Sequence, residues 1–206
     1  MNKLQLAEWR STVAELYASV RALPFETRED AWHLWRAGRD TLFWHHPLTP
    51  LNATQLTAAS EVGYFGYDPD WRKIGRIDHN TPQQEFVIEL PEGNMRMTRV
   101  ACVHFDHADQ MHTLGLYWIE GYGGGLFLPF GDTTNNNQTY GGGRYLYDSI
   151  KGADLGRIGD NLILDFNFSY NPSCAYQSVW VCPLAPRENH LSIAVNAGEL
   201  KPNYYS

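Results

Sequence analysis

The sequence predicts a mainly β protein: an antiparallel β-barrel or sandwich built as a meander, with two N-terminal α-helices packed on it. Three observations carry that prediction. Apolar residues recur at three- and four-residue spacing only as far as Leu42, which is helical periodicity. From Glu85 onward they alternate in short runs, the mark of half-buried strands. Those runs follow one another across short polar connections with no helical segment between them, so neighbouring antiparallel strands are the economical arrangement.

The first helix places Leu6, Trp9, Val13, Leu16, Tyr17 and Val20 on one face and ends at Pro24. A second is expected from Thr27, whose hydroxyl can cap the free amides, with Asp30 in the first turn. It carries Ala31, Trp32, Trp35 and Leu42, and Pro47 and Pro50 close the helical part. Strands are then expected over Glu85–Leu90, Met95–Phe105, Met111–Glu120, Gly125–Phe130, Arg144–Ile150, Leu162–Tyr170 and Leu191–Val195, with a polar turn over Asp106–Gln110. The 206 residues fit one domain over 1–206, a helical segment spanning 1–46 and a β-rich core 60–206.

Composition narrows the class of function. The net charge of -7 repels phosphate backbones and anionic bilayers, so neither nucleic acid nor a membrane is an expected partner. No apolar run approaches the roughly 20 residues of a membrane span. Glu8, Arg10 and Glu15 interrupt the region where a signal peptide needs continuous apolar sequence, which places the chain in the cytoplasm. In that compartment Cys102, Cys174 and Cys182 are expected as reduced thiols, and a Cys174–Cys182 bridge is disfavoured.

Several stretches invite chemistry. Gly141–Arg144 lacks the lysine and hydroxyl of a phosphate-binding loop, and Leu146 stands where a dinucleotide turn needs its third glycine; Gly121–Gly125 fails in the same way. The strand LILDFNFSYN puts Asp165, Asn167, Ser169 and Asn171 on one face. Such short hydrogen-bonding groups suit a cavity lining, though an ordinary wet sheet face also accommodates them.

Cys174 and Cys182 are too widely spaced for common zinc hooks. Cys174 as a nucleophile needs a base, and either cysteine also serves as a small buried apolar residue. His104, Asp106, His107 and His112 fit no ligand spacing and read as a solvated turn, so no metal is expected. Arg36 and Arg39 share a helical face, where they can hold a carboxylate or phosphate or pair with surface acids.

A resemblance covers nearly all of the chain from Trp35. WR-x-x-RD-x-LF-x-x-HP-x-x-PL (Trp35–Leu51), YFGYDP (Tyr64–Pro69), LFLPFGDTT (Leu126–Thr134), TYGGGRYL (Thr139–Leu146), LDFNFSYNPSCAY (Leu164–Tyr176), CPLAPRENHL (Cys182–Leu191) and AGE (Ala197–Glu199) resemble the bacterial and archaeal family catalogued as domain of unknown function 1684. Gly66 departs from the proline usual in that family, and Met1–Phe25 matches nothing in it. The resemblance brings no established activity. It singles out Asp132, Thr134, Tyr140, Gly141–Gly143, Arg144, Asp165, Asn167, Tyr170, Asn171, Cys174, Tyr176, Cys182 and Asn189.

These residues are polar enough to suggest an enzyme acting on a small polar or anionic metabolite by hydrolysis or group transfer. Arg144 would then bind the anionic group, Asp165 or Asp132 would act as acid or base, and Cys174 would be the nucleophile. Asn167, Tyr170, Asn171 and Tyr140 would hold the substrate, and no pattern identifies a cofactor. Two alternatives stand beside it: a small-ligand-binding β module, and a buried polar network that only fixes the fold.

Overall fold

A computed structural model of the chain describes residues 2–58, 62–90 and 93–202. The expected start of the β core at residue 60 lies outside the described residues. Helix α1 (Lys3–Ala22) is capped by Asn2, whose side chain accepts from Leu4 N, and buries Tyr17 and Val20. Helix α2 (Arg28–His45) buries Ala31, Trp32, Trp35, Arg39, Leu42 and Phe43. The expected Thr27 cap does not form: Phe25–Thr27 is a 3-10 turn, and the Thr27 hydroxyl donates back to Pro24 O. A short helix α3 (Ala53–Ala58) follows Pro50, where the sequence indicated none.

The β part is an eight-stranded sheet of β1 (Arg72–Asp78), β2 (Gln84–Leu90), β3 (Gly93–His107), β4 (Gln110–Ile119), β5 (Gly125–Phe130), β6 (Arg144–Asp148), β7 (Arg157–Ile158) and β8 (Asn161–Asp165). Its order is β6-β5-β4-β3-β1-β8-β7, every pairing antiparallel, with β2 also on β3. The long β3 takes β2 along its first half and β1 along its second, so one strand supports two successive partners on the same edge. The meander expectation holds, and the sheet is not closed into a barrel. Among the described residues, an isolated bridge, Tyr145 to Tyr170, is the backbone pairing that joins β6 to the chain beyond β8.

The β3–β4 hairpin is tighter than the sequence suggested. Ala108 and Asp109 alone connect the strands, with φ of 49° and 58°, the backbone of a turn whose twist matches that of its strands. Around the hairpin the four histidine-region residues take different partners, although the His107 and His112 rings lie 6.5 Å apart. His107 stacks on Trp71, His104 meets Thr113 Oγ1, and Asp106 pairs with Arg76. Among the described residues, no group of three or more His, Cys, Asp or Glu is placed to hold a metal ion.

Two expected strands are corrected. Beyond Asp165 the chain turns into a 3-10 segment, Phe166–Phe168, rather than continuing to Tyr170. Asp165 Oδ1 accepts from both the backbone and side-chain amides of Asn167, a local bond that competes with the ladder. Phe166 can then meet Phe105, Phe130 and Trp71 at once. Leu191–Val195 is likewise not a strand. A parallel bridge between Gly131 and His190 starts it and Ile193 O still accepts from Thr133 N, but Val195 O is taken by a guanidinium rather than by a neighbouring strand.

One apolar cluster joins the helices to the sheet, with Tyr17, Val20, Trp32 and Trp35 packed among residues of the strands. A smaller one gathers Phe43, Leu51, Val62, Ala175 and Tyr176 at the end of α2. Gly152 sets how closely α1 approaches β6: its φ is 83°, and a Cβ there would lie 2.8 Å from Ala14. No helix of the described residues is long and apolar enough to cross a membrane.

Candidate functional site

The sequence-predicted residues fall into three neighbourhoods rather than one. The first surrounds Arg144, which is fully buried. Its Nη2 donates to Asp132 Oδ2 at 2.8 Å and to Val195 O at 2.9 Å, and its Nη1 donates to Ala197 O. Both side chains of the pair are sealed from solvent. Asp132 Oδ1 meanwhile accepts from Thr134 N and Oγ1 and from Val195 N. Arg144 therefore faces Asp132 and the 195–199 segment and does not share a site with Asp165.

Gly143 makes this placement feasible. At φ 84° its missing Cβ would stand 2.5 Å from Phe130 O, so any side chain would push β6 off β5. The asparagine run before it is equally ordered. Asn135 accepts from Asp132 N and donates to Thr139 Oγ1 and Tyr140 O, which folds the 132–140 loop on itself.

The second neighbourhood holds Asp165 and Asn167. Asn167 accepts from Asp68 N and donates to Asp68 O, clipping the YFGYDP loop to the end of β8. Asp165 Oδ2 stands 4.0 Å from Arg72 Nε, too long for a hydrogen bond. Burial pushes the Asp165 carboxyl up to about 6, more than the Asn167 bonds and the Arg72 charge pull it down.

This shift has a testable sign. The folded state holds the Asp165 proton more tightly than the unfolded chain, so the stabilising contribution is complete below the unfolded value near 4. It is lost as pH rises through about 6. Between pH 4 and 6.5 the wild type should lose on the order of 2 kcal/mol through this group. The loss should vanish in Asp165→Asn when urea midpoints are compared across that range, and an unchanged slope would contradict it.

The third neighbourhood lies under α1. Tyr140 OH meets Cys174 Sγ at 3.7 Å, and Cys174 in turn contacts Cys182. Tyr170 and Asn171 line a small cavity of about 50 Å³ together with Trp9, Arg39, Lys151 and Ser173. A cleft of about 220 Å³ shares Trp9, Lys151 and Ser173 with it and adds Arg10, Trp180 and Cys182. Of the candidates, the structure thus groups Tyr140 with Cys174 and Tyr170 with Asn171, and keeps Asp132, Arg144 and Asp165 apart from them.

The electrostatics of this cleft are uneven. Asp148 Oδ2 lies 3.2 Å from Lys151 Nζ and raises its pKa. Cys182 Sγ accepts from the Cys174 thiol and from the backbone N–H groups of Cys174 and Ser173, with the Lys151 charge near by. The hydrogen bond from Cys174 does most to hold the Cys182 thiol below the ordinary range, against burial. The same bond, with burial, pushes the Cys174 thiol up.

Sequence reasoning missed Arg10, Lys151 and Trp180. They come from α1, the turn after β6 and the 176–182 segment, and no spacing along the chain ties them together. It also missed Glu199, the partner of Arg39. The Arg39 Nε donates to Glu199 Oε1 at 2.8 Å, while Oε2 accepts from Asn171 N at 2.6 Å and from Tyr176 OH at 3.0 Å. Arg39 is stacked between the rings of Trp35, Phe43 and Tyr170, all within 5.2 Å. Of the alternatives open for Arg39, pairing with an acid is the one found, but that acid is fully buried.

An open antiparallel meander backed by two helices, pinned through buried arginines, defines a mainly β protein. The chain belongs to the family described as Protein of unknown function (DUF1684), whose family model matches residues 58–200. The motifs from Tyr64 onward fall inside that match, and Trp35–Leu51 precedes it. The solution NMR structure of an uncharacterized protein from Haloarcula marismortui is similar at 30% sequence identity and a TM-score of 0.62. The similarity covers 87% of this chain and 97% of the other. No curated protein matches the chain.

Proposed function

We propose that the protein binds a small anionic metabolite with an apolar body in the cleft between α1 and the 173–182 segment. One observation carries this: two cationic side chains, Arg10 and Lys151, converge on walls made of Leu6, Trp9, Leu48, Trp180 and Val181. Placing like charges together disfavours both, and Arg10 lowers the pKa of Lys151 even as Asp148 raises it. A carboxylate or phosphate would relieve that opposition, and the indole and aliphatic walls would cover the rest of the ligand.

The buried placement of Arg144 and Asp132 supports scaffold duty for that pair, so binding is preferred here to hydrolysis through those residues.

The test is a calorimetric titration of the intact chain with small aromatic and aliphatic carboxylates and phosphomonoesters. A ligand should bind, and Lys151→Met with Arg10→Met should weaken it at least about tenfold, the scale of losing charge-assisted hydrogen bonds worth about 1.5 kcal/mol or more. Binding that survives both substitutions, or no binding across the set, overturns the proposal.

A further inference from the structure

The geometry points to a second activity, independent of any anion bound in the cleft: Cys182 and Cys174 form a dithiol that reduces hydroperoxides, Cys182 attacking and Cys174 resolving. Three features of the fold carry it. The two thiols share a hydrogen bond, although seven residues separate them in sequence, so the loop from Ser173 to Cys182 closes on itself sulfur to sulfur. Cys182 lines the roughly 220 Å³ cleft, which gives a small oxidant access, whereas Cys174, equally half-buried, is not part of its lining and meets Tyr140 OH at 3.7 Å. And Lys151 lines the same cleft, where an ammonium can supply a proton to a departing oxygen.

The polarity of the pair follows from its donors. Cys182 Sγ accepts from the Cys174 thiol and from two backbone amides, of Ser173 and Cys174, and these bonds favour its anion. Cys174 is the donor of the shared bond and keeps its proton. The sulfur that lines the cleft is therefore the thiolate and its neighbour the thiol, the order that attack and resolution need.

The chemistry balances without a metal or a bound cofactor. The Cys182 thiolate attacks the terminal oxygen of ROOH; the S–O bond forms as the O–O bond breaks. The alkoxide takes a proton from Lys151 and leaves as ROH, and Lys151 is reprotonated from water. Cys182 is now a sulfenic acid. Cys174 sulfur then attacks the Cys182 sulfur, the S–O bond breaks, and hydroxide departs with the Cys174 proton as water. Two thiols have been oxidised to one disulfide and one hydroperoxide reduced to an alcohol and water. An external dithiol resets the pair by exchange. The apolar cleft walls suit an alkyl hydroperoxide.

The experiment uses the intact chain and two variants, Cys182→Ser and Cys174→Ser, each first checked for a wild-type thermal transition. At pH 6, iodoacetamide should alkylate Cys182 about tenfold faster than a model-peptide cysteine, the larger thiolate fraction outweighing the lower nucleophilicity of a more acidic thiol. With cumene hydroperoxide, peptide mapping should find a Cys174–Cys182 disulfide in the wild type, reversed by dithiothreitol. Cys174→Ser should stop at a sulfenic acid on Cys182 that dimedone traps, and Cys182→Ser should leave Cys174 reduced. Three free thiols after peroxide in the wild type, or oxidation of Cys174 in Cys182→Ser at the wild-type rate, overturns the inference. Lys151→Met and Arg10→Met separate it from the anion-binding proposal: that proposal fails on the calorimetric titration alone, and this one fails on thiol mapping alone.

Discussion

Arg144→Ala should cost about 3–5 kcal/mol of unfolding free energy, a third or more of the stability of an ordinary domain. The loss has two physical sources. Asp132 would remain as a buried carboxylate with no cation, since both side chains of the pair are sealed from water. The carbonyls of Val195 and Ala197 would also lose their donor, and each unsatisfied buried acceptor costs on the order of 1–3 kcal/mol. Arg144→Lys should recover only part of the loss, because one ammonium cannot span the fork that reaches Asp132 and two backbone carbonyls. Removing the charge pair together, as Arg144→Met with Asp132→Leu, should also recover part of it but still leave the carbonyls unpaired. Urea denaturation of the four proteins decides the matter. A loss below about 1 kcal/mol for Arg144→Ala would show that the pair is not holding the 195–199 segment.

Glu199→Ala should be as damaging, again about 3–5 kcal/mol, and worse than Arg39→Met. Glu199 is fully buried and takes bonds from Arg39, Asn171 N and Tyr176 OH. Truncating it leaves a buried guanidinium and two orphaned donors. Arg39→Met instead leaves a carboxylate that still accepts from Asn171 and Tyr176, and the new side chain keeps apolar contact with the rings that flank the position. The order of the two urea midpoints, at unchanged slope, tests the argument. Because Arg144 Nη1 also reaches Glu199 O, the two networks meet on one strip of chain. The double variant Arg144→Ala with Glu199→Ala should therefore lose less than the sum of the singles.

These expectations show how much of the protein was legible beforehand. β3 was readable because its core-facing residues Met97, Ala101, Val103 and Phe105 alternate with more exposed ones, whereas β5 is buried on both faces and was readable only as a short apolar run. LILDFNFSY was misread as one strand because its later residues are buried on every side: Phe166, Asn167 and Phe168 all lie in the core, and alternation has no meaning there. β1, with an alternation weakened by Arg72, Lys73 and Arg76, gave no such signal and was missed. Among site residues, Tyr170 with Asn171 and Tyr140 with Cys174 proved to be neighbours, while Arg144 turned away from Asp165 to Asp132.

The sequence by itself determined the class of the protein: two amphipathic helices, a β meander, an acidic surface and a polar set of residues too specific to be chance. Periodicity and composition are local properties, so they survive reading in one dimension. What the polar residues do was decided only by tertiary structure. Whether Arg144 meets a ligand or a carboxylate, whether Cys182 sits beside Cys174 or far from it, and whether Lys151 and Arg10 share a cleft depend on contacts between residues from eight to more than a hundred positions apart. Such contacts form because burying an unpaired charge is costly and a buried partner relieves it. The chain records only that the partners exist.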